Sequence, residues 1–252
     1  MFLPHKVFLK WLMYATVVLT VALVFMLFGI PQLVFHHDHL YLTSALLAMY
    51  LAAEVLAGRE AIGLSRETRI TEECLSWLKR NPKVFWLADS GSEATVSVRS
   101  GEFFHIPRSY LYGHLGTLIR KADLSSGHRI DQSLLLDTLA DRIEFRSQIS
   151  SFIGSLIVWV GILGTILGVV LAFWPYVSLT TFDVETLRLH MGEFFRGVAV
   201  AFLPTAVSFV FKIALDINHR IVAGGTQDLI DNITVISEAY ALPALEARHA
   251  KG

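Results

Sequence analysis

The chain has 252 residues, of which 54% are hydrophobic and only 17% charged, with a formal net charge of −1. A soluble domain carries about 25% charged residues, so the composition excludes an ordinary soluble protein, and the near-neutral balance excludes a basic face for nucleic acid. One cysteine, Cys74, excludes an internal disulfide framework and a multi-cysteine metal site.

The apolar residues fall in runs long enough for a bilayer, which takes about 20 residues of helix. Helix satisfies its own backbone, so it is the form such runs take in lipid. The predicted fold class is therefore an all-α integral membrane protein with four transmembrane helices. The first covers residues 11–30, after Lys6 and Lys10 and before Pro31. It is longer than the 7–15-residue core of a signal peptide and no small-x-small site follows, so it reads as a retained span. The second covers 40–57, carries Glu54 and is expected to break at Gly58. The third covers 152–174 and closes at Pro175. The fourth begins between 187 and 197 and ends near 215.

Lys and Arg placement orients these spans. Residues 32–39 contain no Lys or Arg, and 176–190 contain only Arg188, whereas 58–150 contain thirteen such residues, from Arg59 to Arg146. Both termini and the large middle segment are expected in the cytoplasm, which in a bacterium places the chain in the inner membrane. The expected organisation is a two-helix membrane hairpin (1–57), a cytoplasmic segment (58–150), a membrane helix pair (151–217) and a cytoplasmic helix and tail (218–252).

Within the middle segment, residues 71–79 read as a short helix ending before Asn81-Pro82, and 95–98 alternate like a strand. A helical pattern returns over 109–122. From Asp131 neither proline nor glycine intervenes until Gly154. Residues 131–174 could thus form one helix of roughly 65 Å, running from the cytoplasm into the membrane. The segment is otherwise expected to be mainly helical. After the fourth span, Leu229, Ile230, Ile233 and Ile236 recur at helical spacing and predict another cytoplasmic helix.

Two spans carry a narrow polar face. On the third, Gly161, Thr165, Gly168 and Ala172 share one side of a helix, and Gly154, Gly161 and Gly168 repeat every seven residues. On the fourth, Gly197, Ala201, Thr205, Ser208 and Lys212 do the same. Small residues let membrane helices approach closely, so packing alone is one explanation. Hydroxyls and a charge at depth point to a protein-facing or water-filled surface instead. Thr165 lies about 21 Å above Ser151 and Thr205 about 16 Å above Asp216, which sets both at similar depth. Pro204 removes a backbone donor and predicts a kink or a freed carbonyl. No carboxylate lies at the core of either span, so a proton carrier has to come from another chain.

The segment Gly161-Ile162-Leu163-Gly164-Thr165-Ile166-Leu167-Gly168 resembles the G-L-L/F-G-T-V-x-G motif of the MotA/TolQ/ExbB proton-channel family. The segment from Gly197 through Ala201 to Thr205-Ala206 resembles the G-I-x-x-A-L-x-x-T motif of that family's last membrane helix. The resemblance spans about residues 131–240, and the four-span layout is similar to the MotA arrangement. It implies a homopentamer around two copies of a single-span partner similar to MotB, TolR or ExbD, whose membrane aspartate carries protons. It implies no cofactor, H⁺ as the coupling ion with Na⁺ open, and an ion path lined by Thr165, Thr205, Ser208, Gly161, Gly168 and Ala201. This sequence departs from the family in having Val158 where a proline is frequent, Ser208 in place of a glycine, and Pro204 before the second threonine.

Lys212 reads as a snorkelling lysine or as a charge at the path's exit. Glu54 is expected near the inner headgroups beside Arg59. Arg188, Glu193 and Arg196 gather near the outer start of the fourth span, where interfacial solvation and a role at the path's mouth both stand. His36-His37-Asp38-His39 is metal-like in composition, but neighbours in one short loop seldom converge on one ion, and a solvated loop is preferred. No motif of an enzyme is present. The rival to an ion-driven motor is a non-conducting scaffold that assembles through its small-residue faces.

Overall fold

The computed structural model describes residues 6–29, 32, 41–81, 85–89, 94–98, 103–124, 131–177 and 184–249. In chain order these form α1 (Lys6–Leu27), α2 (Leu42–Arg80), β1 (Phe85–Asp89), β2 (Ala94–Val98), β3 (Phe103–Ile106), α3 (Tyr110–Leu124), α4 (Ser133–Val177), α5 (Val184–Ala201), α6 (Leu203–Ile236), a π-helical turn (Ser237–Ala241) and α7 (Leu242–His249). Three segments are long and apolar enough to cross a membrane: Lys6–Leu27, Gln148–Trp174 and Gly197–Ala247. The chain is a membrane protein by these helices. The start of α2, the second expected span, is not among the three; Glu54 and Arg59 cut its apolar run short.

Two of the expectations need correction. The fold is not purely helical, because β1, β2 and β3 pair as an antiparallel meander, with Leu87 opposite Val96 and Val96 opposite Phe104. Each strand is a short run with aromatic or β-branched residues, and Ser- and Gly-containing stretches separate them. Nor does Gly58 end a helix. α2 runs unbroken for 39 residues through Gly58 and Gly63, absorbing the short helix expected over 71–79. A helical glycine costs about 1 kcal/mol against alanine, which packing along both flanks of α2 readily offsets.

The chain divides into two compact units. The first comprises residues 1–11, 59–147 and 221–252. Its core joins Leu64, Cys74 and Leu78 of α2, Ile106 of β3, Leu111, Leu115 and Leu118 of α3, and Leu229, Ile233 and Ile236 of α6. Buried positions on α3 recur every three or four residues, the spacing of one helix face. Local chemistry sets the starts of its helices. Ser109 Oγ accepts the amide of Tyr112 at 3.2 Å and Glu67 Oε2 accepts that of Tyr110 at 2.8 Å, so two of the free donors at the start of α3 are satisfied. Asp131 Oδ1 accepts the amide of Ser133 at 2.9 Å where α4 begins.

The second unit comprises residues 12–58 and 148–220. Its interior is small: Leu46, Tyr50 and Ala53 of α2 meet Ile157 of α4 and Leu215 of α6, and the Tyr50 and Phe211 rings stack at 4.5 Å. Its large apolar side chains point outward, among them Leu23, Met26, Trp159, Leu163, Trp174, Phe209 and Ile213. Bulky residues outside and small ones inside is the arrangement of helices packed in lipid. Thr16 and Thr20 on α1 return their hydroxyls to the carbonyls four residues earlier, both at 2.8 Å, leaving no free donor on an exposed face.

Prolines mark both interruptions near the C-terminal end. Pro204 is the second residue of the helix that follows the turn at Phe202, where an amide has no partner within its own helix to lose, and Pro243 is the second residue of the helix that follows the π-helical turn. The π-helical turn before Pro243 closes with the Leu242 amide on the Ser237 carbonyl.

Candidate functional site

Within the membrane unit, α4 packs against α5 and α6 through the small residues. A Cβ placed on Gly168 would lie 2.5 Å from Ala201 Cβ and 2.9 Å from its Cα. One on Gly164 would meet Pro204 at 3.1 Å, and one on Gly197 would meet Ala172 at 3.0 Å. On Gly161 it would overlap Ser208 and stand 3.1 Å from the Pro204 carbonyl; on Gly154 it would reach Lys212 and Leu215. Gly154, Gly161 and Gly168 thus face Leu215, Ser208 and Ala201: seven residues on one side match seven on the other, with opposite direction. A seven-residue repeat keeps one seam in register along two shallowly crossing helices. The register carries across the interruption at Phe202 between α5 and α6.

The threonines meet at the centre of this seam. Thr165 Oγ1 and Thr205 Oγ1 are hydrogen-bonded, and Thr205 Oγ1 donates to the Gly161 carbonyl at 2.8 Å. A hydroxyl has one proton. Thr165 Oγ1 also lies 3.4 Å from the Gly161 carbonyl, but Thr205 is the nearer donor to it; with Thr205 spending its proton there, Thr165 is the donor between the two hydroxyls. Both threonines are half-buried, so their remaining lone pairs border the outside of the helix pair. Ser208 is fully buried and donates to the Thr205 carbonyl at 2.8 Å. The predicted path residues therefore divide by position. Gly161, Ala201, Pro204 and Ser208 are buried in the seam, Gly168 is half-buried against Ala201, and Thr165 and Thr205 reach its edge.

Pro204 coincides with an interruption in the helix rather than a bend within it. Phe202 stands as a turn, and the Ala206 amide bonds the Phe202 carbonyl at 3.0 Å. Lacking an amide hydrogen, Pro204 supplies no donor to the carbonyl of Val200 four residues earlier. Lys212, further along α6, pairs with Asp216 one turn on. The i,i+4 spacing of these two was readable in the sequence; the pairing was not anticipated.

Sequence reasoning also missed a polar cluster in this unit. Glu54 Oε1 lies 3.0 Å from Tyr50 Oη and 3.2 Å from Tyr14 Oη, and Glu54 Oε2 accepts Asn218 Nδ2 at 2.8 Å. Tyr14 Oη also lies 2.6 Å from the Ala214 carbonyl. Glu54 faces protein, and not Arg59, which is exposed. The only sequence signal was a carboxylate in an apolar run, which marks a functional candidate by default.

Among the described residues, no group of three or more His, Cys, Asp or Glu side chains is placed to hold a metal. His36-His37-Asp38-His39 lies outside the described residues. Arg188, Glu193 and Arg196 fall within the backbone of α5. No protein-family model matches the chain, and no curated protein matches it. The fold and site together define an integral membrane protein whose central feature is a hydroxyl-bearing, small-residue helix seam.

Proposed function

We propose that the chain is the ring-forming subunit of an ion-driven membrane motor. Five copies surround two copies of a single-span partner that supplies the carrier aspartate, and protons are the coupling ion. The reading counts the start of α2 as a fourth span, places both termini in the cytoplasm and sets the chain in the bacterial inner membrane. The observation that supports it most is the pair of hydrogen-bonded threonines at the edge of a seam of small residues. Hydroxyls at depth give a passing proton or hydrated ion something to bond, while the seam keeps α4, α5 and α6 rigid behind them. The two motifs that resemble those of the MotA/TolQ/ExbB family are the segments that build this seam.

The test is proton flux through the complex purified from its own membrane and reconstituted in vesicles. Thr205→Val, which keeps the shape and removes the hydroxyl, abolishes flux under this reading. Native flux in that variant overturns it.

A second reading, a non-conducting scaffold, is favoured by the burial of Ser208 and the contact of Gly168 with Ala201, since these residues serve packing. It requires that Thr205→Val be tolerated while Gly168→Leu is not.

A further inference from the structure

The hydrogen bonds around Glu54 are not all made unless the carboxyl group carries a proton. Tyr14 has one hydroxyl proton and two acceptors, the Ala214 carbonyl at 2.6 Å and Glu54 Oε1 at 3.2 Å. A carbonyl can only accept, so Tyr14 donating to Ala214 leaves its oxygen facing Glu54 Oε1 with no proton between them unless Glu54 brings one. With a proton on Oε1, Glu54 donates to Tyr14, Tyr14 to Ala214, and Asn218 to Oε2, and these contacts are all satisfied. Without it, Tyr14 turns to Glu54 and gives up Ala214, and the carboxylate is held by Tyr14, Tyr50 and Asn218.

Both states are complete hydrogen-bond sets, and they differ in whether α1 is tied to α6: the acid holds Tyr14 between Glu54 of α2 and Ala214 of α6, whereas the carboxylate takes the Tyr14 proton and leaves Ala214 without it. Among the described residues no basic side chain pairs with Glu54. On α6, Lys212 and Asp216 pair with each other, and the buried Nδ1 of His219 has no partner. From α4, the core around Tyr50 receives the apolar Ile153 and Ile157. Asn218 is fully buried with its Oδ1 unpartnered, which leaves an acceptor free beside the carboxyl.

We propose that Glu54 is a proton-binding site whose loading switches the Tyr14 hydroxyl proton between α2 and α6. The ligand is a single proton, taken up as a carboxylic acid and released as a carboxylate. The site does not depend on the motor reading, since a chain that conducts nothing would still exchange this proton.

Infrared spectra of the full-length protein in lipid, recorded across a pH series, test it. The expected result is a carboxylic-acid carbonyl band that gives way to carboxylate bands as pH rises and is missing in Glu54→Gln. Tyr14→Phe, which removes the bond partner without touching the acid, moves that band's frequency and guards against a misfolded Glu54→Gln. A titrating band unaffected by either substitution, or a Glu54 that remains carboxylate or remains acid at every pH, overturns the proposal.

Discussion

The hydroxyls of Thr165 and Thr205 bond to each other across the seam between α4 and α6, with Thr205 anchored on the carbonyl of Gly161. The anchor separates two roles that a threonine can have in a membrane helix. Thr165→Val removes the bond between the two hydroxyls and the long 3.4 Å contact of Thr165 Oγ1 with the Gly161 carbonyl, and leaves Thr205 on Gly161. Thr205→Val removes the bond between the hydroxyls and the anchor itself. Each change should cost on the order of 1 kcal/mol in unfolding from bicelles or detergent, the usual range for hydrogen bonds between membrane helices. Ion-coupled work should fall far more in Thr205→Val than that stability loss explains, and Thr205→Ser should restore it.

The glycines give a sharper stability prediction. Gly168→Ala drives a methyl against the backbone of Ala201, which cannot turn aside, and should destabilise by about 1–3 kcal/mol. Gly161→Ala collides mainly with the side chain of Ser208, so Ser208→Gly should recover part of that loss in the double variant. Gly116→Ala, with nothing within 4 Å, should be neutral or slightly stabilising. Unfolding curves for the four variants check the order.

In the other unit, His114 is buried on α3 with its Nε2 unpartnered. Burial holds the imidazole below its ordinary value, with the neighbouring Gln132 amide acting in the opposite direction. The unfolded chain therefore binds a proton more readily than the folded one at this site. Stability should be fully present above the unfolded value, about 6.5, and fall as pH drops through the window below it. Denaturation measured on either side of that window should show the slope, and His114→Gln should flatten it.

Cys74 is fully buried in the core of the first unit, and burial pushes its thiol up to about 12. The thiolate is the reactive form, so alkylation in the folded protein should be very slow and should accelerate on denaturation. Labelling followed by mass spectrometry makes the thiol a reporter of opening in that unit.

Periodicity made the seam legible. The spacing of Gly161, Thr165 and Gly168 on one helix and Ala201, Thr205 and Ser208 on the other placed them on single faces, and a count of helical rise put the two threonines at one depth, where they hydrogen-bond. Burial was not legible, because small residues look alike whether they line a cavity or close a contact. The distinction between Ser208 and Thr205 required the partner helix. Gly58 misled because propensity is local, whereas the packing that carries α2 through it is not. The cluster of Tyr14, Glu54 and Asn218 joins residues far apart in the chain, with Tyr14 bonding Ala214 across 200 positions, and no spacing rule reaches that far.

The central claim is an assembly of this chain around a carrier-bearing partner, and native mass spectrometry of the complex extracted from its own membrane tests it most directly. Five copies of this chain with two copies of a single-span protein carrying an aspartate at the start of its span is the predicted composition. A chain that emerges alone, or in an assembly with no such partner, contradicts it.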